Sequence, residues 1–557
     1  MLFPFPTIVH ISLILLSSIA DAKNRRRCSF GDPCWPDDDT WQTFNASIGG
    51  RLIRSTPPAA VCHTEHFNAE QCSAAKENWF NSFWRTNQTG AYAGIVWETE
   101  ERGQCFVDTP PEAPCDDGLV PHYSVAVRDV EDIQKAVKFA SEKGLYLVVK
   151  NTGHSYLGQS SGKGAFSIWT HNLKGVEWHD SFVAKGAPCG TKGVPAVTVQ
   201  AGEQSLEIYR AAAEKGVIVV GGAARTVGAA GGYVLGGGHS PFAHFYGLAV
   251  DNLLEMSIVS ADGEHRTINA YSDPDYFYAV RGGGGNAWGV VTSVTYKTHP
   301  NPQNFAIGLV RLNARDNSTF RTIVERSLKL LPSITEAGYT GYGSISGGFA
   351  AIFVRPNGTD ELFNSTFSPF YELAALPGVN GSVTGFGNLT WIDYVNTFLQ
   401  DPNIATNVQD ASRLLTADVL EHKASELVDL IIENGGEAGF NFIGKVNNDE
   451  RDNTAVHSIW KESHCLFSIS VNWADDAPIY DKKQKTKTLV EISNRLTGIV
   501  GPDGGTYINE GNPYEPDWQK VFWGEKYERL LSIKKRVDPT NLFVCNRCVG
   551  TDVVLEP

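Results

Sequence analysis

The run Val148-Val149-Lys150-Asn151-Thr152-Gly153-His154-Ser155-Tyr156 constrains this chain more than any other stretch. An apolar strand, Leu145 to Val149, ends there in a polar Gly-His turn that presents backbone amides and a nucleophilic imidazole at one point in space. About seventy residues later comes a segment crowded with glycine, from Val217 through Gly221-Gly222 and Arg225-Thr226-Val227-Gly228 to Gly231-Gly232, running on into Gly236-Gly237-Gly238-His239. A second crowding, Gly282 to Gly285 with Asn286, follows Asp273 to Arg281 and precedes the apolar stretch Trp288 to Val294. Glycine at this density serves backbone that must come close to a large ligand. The loops are not the dinucleotide fingerprint, which opens a helix directly after a strand with G-x-G-x-x-G spacing. Gly221-Gly222 follow a strand without that spacing, and Gly282 to Gly285 precede one.

A third segment is distant: Tyr507-Ile508-Asn509-Glu510, then Asp517-Trp518-Gln519, Phe522-Trp523-Gly524, Tyr527, and Asp538 to Phe543. Taken in order, the three segments resemble the berberine-bridge-enzyme-like branch of the vanillyl-alcohol-oxidase flavoproteins. The resemblance covers about Tyr123 to Pro300 and Gly504 to Phe543, and Cys34-Trp35-Pro36, Phe44-Asn45 and Trp79 to Trp84 resemble fungal members. It implies an α+β, two-domain flavoprotein with an FAD-binding domain and an antiparallel-sheet substrate domain backed by helices. The glycine then has a reason, since FAD brings a dianionic pyrophosphate and a wide planar ring system.

The resemblance also implies residue roles. Relatives with histidine at the place of His154 carry FAD through the flavin 8α-methyl, and many add a cysteine bond where this chain has Ala224, so a single covalent bond is expected, with no cysteinyl bond. Around His154, the residues expected at the cofactor are Lys150, Asn151, Thr152, Gly153, Ser155 and Gly158. From the glycine-rich segment come Gly221, Thr226, Val227, Gly228, Gly231 and Gly232, and from the C-terminal segment Asn509. The place of Val227 governs oxygen access in relatives, and valine resembles the oxygen-admitting state, which implies an oxidase.

Hydride transfer to the flavin leaves a proton for a base. Tyr507 matches the tyrosine that relatives use, but a phenol with a pKa near 10 needs a neighbouring cation or donor to work at neutral pH. Lys445, on a predicted substrate-domain strand, is the expected partner. Glu510 is the alternative base, since desolvation raises a carboxylate toward neutrality. The expected reaction takes a hydride from a small alcohol or secondary-metabolite intermediate to FAD and then to O2, giving hydrogen peroxide. A carbohydrate oxidase, an FAD-linked dehydrogenase and a silent flavin-bearing binding protein remain open.

With 557 residues and 42% apolar content, the chain supports two packed cores. The predicted order is a signal peptide over 1–22, a Cys/Trp-rich extension over 23–118, the FAD-binding domain over 119–300, the substrate domain over 301–500, and a return to the FAD domain over 501–557. The apolar run Ile8 to Ile19 before Ala20-Asp21-Ala22 reads as a cleaved leader, too short to span a membrane. Ten cysteines fit an oxidising compartment. Cys62/Cys72 and Cys105/Cys115 suit local loops, while Cys28 and Cys34 are candidates to meet Cys545 and Cys548. Sequons at Asn45, Asn87, Asn317, Asn357, Asn364, Asn380 and Asn388 fit a secreted glycoprotein. The net charge of −15 argues against nucleic-acid or anionic-membrane partners. No metal site is expected, and the oligomeric state is left open.

Overall fold

The computed structural model describes residues 27–99, 105–401, 404–446 and 453–555. The predicted leader lies outside them. Tyr123–Ala126, Phe166–Trp169 and Leu147–Lys150 form a parallel array, and Leu52–Arg54 from the N-terminal region joins its edge antiparallel. Helix Val130–Lys143 makes the crossover. Asp129 caps it by accepting from the Asp132 N–H, and Gly144 ends it in the left-handed conformation at φ 62°. Its buried Ile133, Ala136, Val137 and Ala140 fall on one stripe, which packs against the sheet.

A second sheet runs Val176–Phe182, Val194–Gln200, Val290–Lys297, Leu253–Val259, His265–Asn269, antiparallel throughout. The sequence suggests another strand-helix-strand unit from Val197 to Val220. The helix forms, at Ser205–Glu214, but Val217–Ile218 leaves this sheet and pairs with His299–Pro300 in a separate ribbon. Gly221 then passes against the Tyr209 ring, where a Cβ would overlap the hydroxyl, so the chain is committed to the glycine loop.

The third sheet has seven antiparallel strands, ordered Val379–Leu389, Phe305–Ala314, Gly348–Pro356, Thr340–Ser346, Glu437–Phe442, Ser463–Asn472, Val408–Thr416. Its two faces differ. Phe349, Phe353, Phe440, Phe442 and Phe467 pack with helices Asn317–Glu336, Asp360–Ala374, Ala424–Glu433 and Ile479–Val500. The register places Tyr342, Asn441, Ser468, Ser470 and Asp410 on the opposite face, since side chains alternate along a strand.

Cys62–Cys72 and Cys105–Cys115 are disulfides, as the spacing suggests. The proposed link between chain ends is corrected, because Cys28 bonds Cys34 and Cys545 bonds Cys548. The ends do meet on one sheet, where Cys28 bridges to Leu145 and Phe543 to Leu147. Arg27 ties them without a covalent bond, reaching Asp552 at 2.7 Å and the Asn541 carbonyl at 3.2 Å. Among the described residues, no helix is long and apolar enough to cross a membrane.

Candidate active site

His154 sits at the carboxyl end of Leu147–Lys150, on a turn that Gly153 (φ 80°) and Gly158 (φ 68°) allow. Ser155 fixes the turn from both its groups: its carbonyl accepts from Trp97 Nε1 at 2.9 Å and its hydroxyl from the Gln159 N–H at 2.9 Å. Asn151 donates to the Ala201 carbonyl at 2.6 Å, which brings its side chain against Gly228 so closely that any Cβ there would collide. Thr152 is buried beside it. Lys150, expected at the cofactor, points elsewhere. Its ammonium donates to the carbonyls of Gln88 (2.6 Å) and Thr89 (3.1 Å) and fastens the N-terminal region, and burial lowers its pKa to about 7.

The Arg225–Gly228 stretch is clamped on two sides. The Ser205 and Leu206 amides donate to the carbonyls of Val227 and Arg225, both at 2.9 Å, and Arg225 donates to the carbonyls of Val395 and Asn396. His154 Nε2 meets Thr226 Oγ1 at 2.8 Å. Burial lowers the imidazole's pKa, against the pull of the Asp401 charge.

The glycine loops converge next to this turn. A Cβ on Gly285 would touch Gly232 and Gln159, and Asn286 bonds both strands of the turn at Val149 and Gln159. Gly231 (φ 112°) and Gly232 present backbone with nothing within 4 Å of where a Cβ would stand. Asn151 Oδ1 and Ser160 Oγ are buried without a protein partner. Bare glycine backbone beside an unpartnered amide oxygen, an unpartnered hydroxyl and an imidazole is a set of polar groups that FAD, with its own donors and acceptors, fits.

The other side of the site comes from the C-terminal segment and the polar sheet face. Asn509 donates to the carbonyls of Gly232 (3.2 Å) and Tyr233 (3.0 Å) and to the Tyr507 hydroxyl (2.7 Å). Tyr507 is buried, its ring edge-on to His239 and Trp460. Burial, then the Glu510 charge, push its pKa far up, and hydrogen bonds from Asn509 and the Gly238 and His239 backbone only partly oppose them. Glu510 accepts from His239 Nε2 at 2.8 Å through one oxygen and from Asn441 Nδ2 at 2.7 Å through the other. Lys445 is not the cation expected beside Tyr507. Its ammonium lies on the surface, 3.3 Å from Glu336, because Lys445 falls beyond the end of strand Glu437–Phe442 and its side chain leaves the core between buried Gly444 and Val446.

Sequence reasoning thus names His154, Tyr507, Asn509 and Glu510, which the fold gathers around one glycine cradle. It misses Asn441 and Asp401, which stand in no local motif, and gives His239 no role. The Gly238-His239 sequence, at the end of the Gly236-Gly237-Gly238 run, is the one signal that marks His239.

Fold and site together define a two-domain flavoprotein of the vanillyl-alcohol-oxidase architecture. Residues 121–269 match the family model "FAD binding domain", and 506–549 match "Berberine and berberine like". An uncharacterized FAD-linked oxidoreductase of Arthroderma benhamiae is 59% identical over 558 residues, covering 99% of each chain. The FAD-linked oxidoreductase patO of Aspergillus clavatus is 33% identical, covering 94% of this chain and 92% of its own. The crystal structure of the VAO-type flavoprotein MtVAO615 from Myceliophthora thermophila C1 superposes with a TM-score of 0.86 at 30% identity, over 95% of this chain and 97% of that one. The chain belongs to the FAD-linked oxidoreductases of the vanillyl-alcohol-oxidase and berberine-bridge type.

Proposed function

We propose that the protein oxidises a small hydroxylated molecule, an alcohol or secondary-metabolite intermediate, and passes the electrons from FAD to O2 with release of hydrogen peroxide. The observation that carries this reading is the meeting of His154, the bare Gly231-Gly232 backbone and the Glu510–His239–Asn441 cluster beside the polar face of the seven-stranded sheet. FAD supplies a two-electron acceptor when bound, and the protein supplies attachment, orientation and proton transfer. His154 is the attachment point, and Ala224 offers no second nucleophile. Asn151, Gly231 and Gly232 hold the group, and Asn509 holds the loop that carries them.

Glu510 takes the substrate proton. It is a half-buried carboxylate whose two oxygens are held in place by His239 Nε2 and Asn441 Nδ2. Tyr507 is the poorer base, because both burial and the Glu510 charge hold its proton on. Its hydroxyl orients the substrate instead. Tyr342, whose buried hydroxyl has no protein partner, faces the same region and favours a substrate with polar groups.

Secretion with glycosylation completes the reading. Asn87, Asn317, Asn357, Asn364, Asn380 and Asn388 are exposed, as glycan acceptors must be. A panel of alcohols, natural-product intermediates and oligosaccharides mixed anaerobically with the purified protein tests the function. Rapid flavin bleaching by an alcohol, followed by peroxide on admitting air, is expected. Bleaching by oligosaccharides alone would move the substrate class, and reduced flavin that persists in air would make the protein a dehydrogenase.

A further inference from the structure

Behind His154 stands a chain of hydrogen bonds that flavin binding does not require. Thr226 Oγ1 lies 2.8 Å from His154 Nε2 and 3.0 Å from Asp401 Oδ1, and the Thr226 N–H donates to that same oxygen at 3.0 Å. Ser82 Oγ donates to the other carboxylate oxygen at 2.7 Å. Thr226 is fully buried, and its backbone is pinned by helix Ser205–Glu214 on one side and by the bonds of its neighbour Arg225 to helix Trp391–Phe398 on the other. Three separate parts of the chain, at Ser82, Thr226 and Asp401, are thus spent on one ring nitrogen.

The direction of these bonds is decided by donor arithmetic. A carboxylate only accepts, so the single Thr226 hydroxyl hydrogen goes to Asp401. The hydroxyl oxygen then has only lone pairs for the histidine, and His154 Nε2 must carry a hydrogen and donate it. A neutral imidazole protonated at Nε2 keeps its lone pair on Nδ1.

We propose that Asp401 and Thr226 are positioning residues that hold His154 as the Nε2–H tautomer, making Nδ1 the nitrogen that bonds the flavin 8α carbon. The inference rests on the reading of His154 as the attachment point and adds what selects and activates its nitrogen. The balance of the step is complete: an Nδ1–C8α bond forms, one C8α–H bond and the Nε2–H bond break, the methyl carbon is oxidised, and O2 takes the two electrons and two protons as hydrogen peroxide. The relay accepts the Nε2 proton as the ring becomes alkylated, through Thr226 Oγ1 toward Asp401.

Intact mass, and flavin retained on acid precipitation, measure the bonded fraction in purified protein, while absorbance before acid reports flavin bound by any means. Wild type is expected to be fully bonded and His154→Ala to hold flavin only until acid is added. Thr226→Val removes the hydroxyl at constant shape, and Asp401→Asn keeps an acceptor for the Thr226 amide while removing the charge. Both should bind flavin yet form the bond slowly in air, by about 10²-fold as for loss of a proton acceptor, with one peroxide released per bond. Thr226→Ser should restore bonding, which a merely structural clamp would not predict of hydroxyl chemistry alone. Bonding in Asp401→Asn at the wild-type rate overturns the relay, and this variant decides the matter if Thr226→Val purifies without flavin. Wild type that releases all its flavin, or His154→Ala that keeps it, overturns the attachment reading and the relay with it.

Discussion

The two sides of the site are built from opposite materials. Around His154 the walls are backbone: Gly231 and Gly232 stand bare, and Gly153 and Gly158 turn the chain. Around Glu510 they are side chains, with His239 brought from 271 residues away and Asn441 from 69 to stand beside Tyr507. The difference follows from the partners. A large fixed cofactor is best met by close-fitting amides, whereas a proton has to be given and taken by titratable groups. The glycine cradle should therefore be sensitive to changes of shape, and the Glu510 side to changes of charge.

The largest effect that tests this contrast is at Glu510. Glu510→Gln keeps the shape and should slow flavin reduction roughly 10²- to 10⁴-fold, with the flavin spectrum unchanged, while Tyr507→Phe costs about tenfold, as expected for a lost orienting hydrogen bond. The rival reading has the opposite sign. If Tyr507 were the base, removing the Glu510 charge would ease its ionisation and accelerate reduction, and Tyr507→Phe would be the inactive variant. Stopped-flow reduction of both variants separates the two.

Asp410 sharpens the same side through stability. Its carboxyl is raised to about 6, first by burial and further by Glu510, against the hydrogen bond from Ser470. Since the folded state raises this pKa, the group's contribution is fully present below the ordinary carboxylate range and is lost as pH rises through about 6. Asp410→Asn should match wild type in acid and be more stable above neutrality by about 2–3 kcal/mol. Denaturant midpoints at the two pH extremes measure it, and a variant that gains nothing at high pH would remove the buried charge from the account.

What could be read from the sequence divides along the same line. The strand, Gly-His turn and glycine loops announce themselves because each is local, a short stretch whose residue types answer a backbone requirement. Helix Val130–Lys143 is equally legible, with its cap and apolar stripe in one segment. Lys445 fails because predicting a strand does not say where it ends: Phe442 closes it, and three residues later the Lys445 ammonium reaches the surface beside Glu336. The Cys28 and Cys548 regions fail for a subtler reason, since both do reach one sheet but each closes its own small loop. Asp401 and Asn441 belong to the substrate-domain sheet and its connections, and only long-range pairing brings them to the site.

On the attachment side, Val227 stands next to the pinned Thr226, half-buried and held through its carbonyl by Ser205. Val227→Leu adds one methylene at the expected oxygen path and should slow reoxidation of photoreduced enzyme by about tenfold, the scale of one extra methylene in a fitted space. Reoxidation at the wild-type rate would take this residue out of oxygen control.

Gly232→Ala is the finest test, because it separates a glycine kept for the protein from one kept for the ligand. At Gly236 a Cβ would overlap the Asn509 amide, so that glycine serves the fold itself. At Gly232 a Cβ meets no protein atom within 4 Å, the residue opens a short helix, and alanine is the better helix former. The flavin-free protein, obtained by stripping the noncovalently held flavin from a His154→Ala background, should then keep its stability within about 0.5 kcal/mol. Its affinity for added FAD should fall by about tenfold or more, the penalty of crowding a fitted contact by one methyl. Calorimetry and FAD titration on the same preparation read the two quantities together. Loss of stability without loss of affinity would mean that the bare backbone is a feature of the loop's own folding and not the cradle for the cofactor.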